Sequence, residues 1–288
     1  MGQEMDWRGE FYRHDPKLPL DAEEKLLKSD ERLDRWRVEF TGMHEHRVPA
    51  VLTRPRVAAR PPVALILHGV TGSKEAPYVR AASRGLLGGG FATIAIDSPY
   101  HGDRARSDRD MRFHNFTSYT NRNAAVQSAL DCMRAIDYAQ SRDDLDGERL
   151  GFVGFSQGAI VGTAFCAHDE RVKAVALVVG GGNFLRMYPP AKNPAARARA
   201  ERIAQTIDPV HHVARIAPRP LLMINATRDE LIPRRCAEDL FDAARSPKEI
   251  LWHEATHSGL PAEAFRTVRA FLLREAAGID PDQEGLDR

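Results

Sequence analysis

Short, continuous apolar runs at residues 63–67, 91–97, 150–155, 172–179 and 220–225 constrain this chain more than any other feature. A strand with one wet face alternates polar and apolar side chains, and a helix needs more length, so these runs read as strands buried on both faces. Helical stretches fall between them. Residues 76–87 read as a helix that stops at Gly88-Gly89-Gly90, and residues 123–140 as one with Val126, Leu130, Met133, Ile136 and Ala139 on a single face. Further helices are expected at 233–244 and 261–277, with a strand at 249–252 between them. Strand and helix in alternation predict an α/β fold, a mostly parallel central sheet of about eight strands with helices on both faces.

The ends of the chain read differently. Residues 35–40 alternate in the strand period and residues 46–53 follow Gly42 as a hairpin partner, which gives an antiparallel edge. Residues 20–34 set Leu20, Leu26, Leu27 and Leu33 among charges and suggest a short amphipathic helix. Residues 1–34 are therefore expected to form an N-terminal helical extension to a domain over 35–277. Residues 183–212 interrupt the pattern as a small cap or lid, and residues 278–288 form a polar tail. The connection over 98–123 is too long for a simple turn and is a candidate substrate loop. Tyr100, Phe113 and Phe116 in that loop, and Phe184 in the insertion, are the candidate substrate contacts.

Charge and cysteine usage narrow the function. Lys and Arg number 41 against 40 Asp and Glu, so no global field favours nucleic acid or an anionic membrane as a partner. Residues 1–20 carry no run resembling a signal peptide, and no later apolar run reaches membrane-spanning length. Cys132, Cys166 and Cys236 are odd in number and far apart, which fits free thiols in a reducing, cytoplasmic setting. His211-His212 lack an accompanying ligand cluster, and the glycine triplets at 88–90 and 180–182 lack dinucleotide-binding spacing. No metal and no cofactor are expected, and a homo-oligomer is left open.

The chemistry concentrates where the strands end. Residues 149–160 run from an apolar strand through Gly154-Phe155-Ser156-Gln157-Gly158 into a helix. A serine between a buried strand and a helix needs a tight turn, and glycines two residues to either side remove the side chains that would clash. Such a turn lifts the hydroxyl clear of the sheet and puts the next main-chain N–H at a helix N-terminus, where it can help hold an oxyanion. Serine is a poor nucleophile unless an imidazole takes its proton, and the imidazole needs a carboxylate to orient it. Ser156, Asp229 and His257 supply one of each, all at ends of expected strands. Glu230 is the alternative acid and His253 the alternative base. Asp229 is preferred because it directly follows its strand, and His257 because His253 lies on or beside one.

Together with 67–73, 97–102, 229–233 and 257–259, the segment 154–158 gives the chain a resemblance to the α/β-hydrolases. Within them it is similar to the dienelactone-hydrolase-like and acetyl-xylan-esterase-like serine esterases, over roughly residues 35–275. The resemblance implies Ser156 as nucleophile, His257 as base and then acid, and Asp229 as its orienting partner. It implies an oxyanion hole formed by the main-chain N–H groups of Val70 and Gln157. From its place before Gly69, His68 is expected to brace the oxyanion loop rather than to be catalytic, and Asp97 and Arg104 are expected to order the loop after 97, with contact to an acidic substrate as the alternative for Arg104. Two departures stand out: Ser156 replaces the cysteine of the dienelactone hydrolases, and Ser98-Pro99-Tyr100 replaces their arginine motif. The implied activity is hydrolysis of a small-molecule carboxylic ester through an acyl-enzyme, without a cofactor. The alternatives are a peptidase, amidase or thioesterase using the same triad, or a non-catalytic binding protein on the hydrolase fold.

Overall fold

A computed structural model describes residues 7–106, 118–187 and 193–281. Among them the strands are β1 (Glu23–Ser29), β2 (Leu33–Thr41), β3 (Arg47–Pro55), β4 (Pro62–Leu67), β5 (Ala92–Ile96), β6 (Asp146–Phe155), β7 (Val172–Val178), β8 (Leu221–Ala226) and β9 (Lys248–His253). They form one nine-stranded sheet in the order β1-β2-β3-β5-β4-β6-β7-β8-β9. The first three strands pair antiparallel, and β3 joins β5 antiparallel. From β5 to β9 every neighbouring pair is parallel. The helices are α1 (Pro77–Gly88), α2 (Tyr119–Gln140), α3 (Gln157–His168), α4 (Phe184–Met187), α5 (Pro194–Ile207), α6 (Arg234–Ala243) and α7 (Ala262–Leu272).

The two-residue period of a strand sends its side chains into two separate cores. On β4, Leu65 and Leu67 join the cluster formed with α2, α3, α5 and α6, while Ala64 and Ile66 join the one under α1 and α7. Both faces are covered, which is why β4 is buried at every position. Local chemistry sets the helix starts: Ser118 accepts the Asn121 N–H at 3.1 Å ahead of α2, and Asn193 caps α5 with Pro194 at its first position.

The N-terminal segment departs from expectation. Residues 23–29 are not helical; they are the edge strand β1, exposed along its whole length, which brings the sheet to nine strands and carries it past residue 35. The four leucines fit a helical spacing only irregularly, and two local features favour a hairpin. Asp30 accepts the N–H groups of Arg32 and Leu33 at 2.9 Å, closing a turn, and β2 then offers a free edge as a template. The 35–40 and 46–53 hairpin is present as β2 and β3.

Candidate active site

Parallel strands carry their C-terminal ends to one edge of the sheet, and loops leaving that edge meet where neighbouring connections diverge. His68 follows β4, Asp97 follows β5, Ser156 follows β6, Asp229 lies three residues beyond β8, and His257 four beyond β9.

Ser156 stands between β6 and α3 with φ 52° and ψ −114°, a conformation that L side chains rarely adopt. The glycines explain how the turn closes. A Cβ on Gly154 would collide with the Gly158 carbonyl, and one on Gly158 with the carbonyls of Leu67 and His68. The Ser156 N–H is tied at 2.8 Å to the Val178 carbonyl, so the strained residue is anchored to the neighbouring strand.

A continuous hydrogen-bond chain runs from that serine. Its Oγ lies 2.9 Å from His257 Nε2, and His257 Nδ1 lies 2.9 and 2.8 Å from the two Asp229 carboxylate oxygens. The carboxylate makes Nδ1 the donor, which leaves Nε2 to accept the serine proton. Asp229 is itself fixed, accepting the N–H groups of Leu231 at 2.9 Å and Ile232 at 2.8 Å. Glu230 points elsewhere: it accepts the main-chain N–H of His257 at 3.0 Å. His253 sits on β9 opposite Ala226, apart from the chain.

The loop after β4 faces Ser156. A Cβ on Gly69 would lie 3.0 Å from Ser156 Cβ, so the main chain passes directly beside the serine side chain. The Gly69 carbonyl accepts from His68 Nδ1 at 2.8 Å and from the Gly72 N–H at 3.0 Å. In a trans peptide the Val70 N–H points opposite to that carbonyl, so holding the one aims the other. His68 Nε2 in turn accepts the Ser98 N–H at 3.1 Å. Burial, with His101 close by, lowers the His68 pKa to about 4 and keeps the ring neutral, as this pattern of one donor and one acceptor requires. Gln157 is the first residue of α3, where N–H groups have no acceptor within the helix.

A cavity of about 210 Å³ opens on these groups. Its lining includes the polar side chains of Thr71, Ser156, His257 and Ser258, and the apolar or aromatic walls Val70, Tyr78, Phe155, Val179, Leu231, Leu260 and Phe265. No lysine, arginine or acidic residue is among the described lining residues. Of the expected substrate contacts, Tyr100 and Phe184 do not line it. Tyr100 borders a second cavity with Arg104 and Arg106. Phe184 is 2 % exposed and packed in the core, because Asp208 accepts the N–H groups of Asn183 and Phe184 and draws the start of α4 inward. Phe113 and Phe116 lie outside the described residues. None of the described residues of 183–212 lines the cavity beside Ser156. Sequence reasoning missed the actual walls, although Phe155 and Tyr78 sit within or next to the motifs. Among the described residues no group of His, Cys, Asp and Glu is arranged to hold a metal ion, and no helix is long and apolar enough to cross a membrane.

Residues 48–264 match the dienelactone hydrolase family. Over 182 residues the chain is 26 % identical to the esterase YjfP of Escherichia coli, covering 60 % of this chain and 70 % of that one. It is 28 % identical over 142 residues to the putative hydrolase YtaP of Bacillus subtilis, covering 45 % of this chain and about half, 47 %, of that protein's length. The acetyl xylan esterase from Paenibacillus sp. R4 superposes with a TM-score of 0.74 at 20 % identity, over 94 % of this chain and 96 % of that one. The fold is that of the α/β-hydrolases.

Proposed function

The chain belongs to the dienelactone hydrolase family, and on that premise we propose that it is a serine esterase that hydrolyses small carboxylic esters through an acyl-enzyme. The observation that carries this reading is the unbroken chain Ser156–His257–Asp229, at 2.9 Å and 2.8 Å, on the wall of the cavity. His257 Nε2 takes the proton as Ser156 Oγ attacks the ester carbonyl. The carbonyl oxygen becomes negative and is held by the N–H groups of Val70 and Gln157. Collapse expels the alcohol, which leaves with the proton from His257. Water then enters, gives a proton to His257, attacks the acyl carbon and releases the acid with Ser156 restored.

The apolar walls and the lack of a charged lining residue favour an uncharged, short acyl group. A carboxylate-bearing acyl group would find no cation among the described walls. Ser156→Ala should lower turnover of p-nitrophenyl butanoate by at least about 10⁴-fold with the thermal unfolding midpoint retained. An active alanine variant would overturn the mechanism.

A further inference from the structure

Tyr78 stands in the first turn of α1 and lines the catalytic cavity. Its hydroxyl accepts the Gly69 N–H at 2.9 Å. A phenol both accepts and donates, and no acceptor for its own proton is found among the described residues. The hydroxyl also lies close to the nucleophile. A Cβ on Gly69 would stand 3.0 Å from Ser156 Cβ and 3.5 Å from the Tyr78 oxygen, so the two side chains flank the same α-carbon. The loop is shaped to admit the phenol, since a Cβ on Gly72 would collide with that oxygen. The ring is held edge-on to Phe155 with centroids 5.2 Å apart.

We propose that the Tyr78 hydroxyl is a third donor to the substrate oxygen that gains charge during acyl transfer, beside the N–H groups of Val70 and Gln157. The proposal rests on the reading of Ser156 given above. Accepting the Gly69 N–H polarises the O–H bond and strengthens its donation. Burial raises the phenol pKa above its ordinary value, so the proton stays available through the neutral range. A donor fixed before substrate arrives needs little reorganisation as charge develops.

Tyr78→Phe should lower kcat on p-nitrophenyl butanoate by roughly 10–100-fold with KM changed little. Loss of the bond to Gly69 could by itself disturb the loop, so fluorotyrosine and difluorotyrosine at position 78 separate the two roles. Fluorination makes the hydroxyl a better donor and a poorer acceptor. Below the phenol pKa, kcat should hold or rise along the series from tyrosine to difluorotyrosine. The rate at which diethyl p-nitrophenyl phosphate modifies Ser156 should follow the same order, because its P=O oxygen enters the same hole. A phenylalanine variant as fast as wild type, or a fluorinated series falling towards phenylalanine, would overturn the proposal and leave Tyr78 as a brace only. Wild-type protein that fails to react at Ser156 would instead overturn the Ser156 reading, and this proposal with it.

Discussion

Asp229 and Glu230 are adjacent in the chain and hold His257 by different atoms. Asp229 meets the ring at Nδ1, and Glu230 takes the main-chain N–H. The ring contact sets the tautomer, whereas the main-chain contact only places the loop. Asp229→Asn should therefore cut kcat by about 10³–10⁴-fold, because an amide offers no charge and can stabilise the wrong tautomer. Glu230→Gln keeps an acceptor oxygen and should stay within about tenfold. Steady-state kinetics on the two variants decides between them, and comparable losses would show that the acids share one role. The preference for Asp229 rested on an expected strand ending just before it, whereas β8 ends three residues earlier. The division of labour was not legible in the sequence, because it depends on which way two neighbouring side chains leave a turn.

At the scale of elements, the loops after β4 and β5 are joined by one buried carboxylate. Asp97 is 0 % exposed, accepts the N–H groups of Lys74 at 2.8 Å and Asp103 at 2.9 Å, and pairs with Lys74 Nζ at 2.5 Å. Gly102, with φ 51°, is the position where any Cβ would strike that carboxylate. Arg104 reaches the Asp97 carbonyl at 3.1 Å and the Asp131 carboxylate at 2.6 Å, so the loop is also tied to α2. Asp97→Asn leaves a buried ammonium with only Asp103 as counter-ion and should cost about 3–5 kcal/mol of stability by chemical denaturation. A loss below about 1 kcal/mol would show that Asp103 alone compensates. The ordering role of Asp97 and Arg104 was expected for the long loop they belong to, with a substrate contact as the alternative for Arg104. β1 was not expected, because a charged segment with irregular leucines becomes a strand only when β2 presents an edge to it.

The whole molecule carries buried histidines whose protonation the fold opposes. Burial is the main cause in both His68 and His212, and each pKa falls to about 4 from an ordinary value of 6.5. The unfolded chain then binds protons that the folded chain refuses, so stability falls as pH drops from about 6.5 towards about 4. The loss is at most on the order of 3 kcal/mol for either histidine. Asp208, whose carboxyl is pushed up by burial, acts with the opposite sign and offsets part of it. Urea unfolding midpoints should decline through that pH window. A flat profile would mean that the rings are not held neutral in the fold.

Strand and helix alternation, the hairpin at the antiparallel side and the glycines around Ser156 could be read from the residues, because each follows from local sterics or from the period of burial, and the order of serine, acid and histidine was read from which residues stand at the ends of the expected strands. The cavity could not be read from the residues. Its walls come from α1, the residue before Ser156, the loops after β7, β8 and β9, and α7. The aromatic residues expected to meet substrate are conspicuous in sequence, but Phe184 turns into the core and Tyr100 faces another cavity. A backbone motif specifies itself through its own φ and ψ and its nearest carbonyls. A substrate wall is specified by which distant side chains are brought to one edge of the sheet, and only the assembled structure decides that.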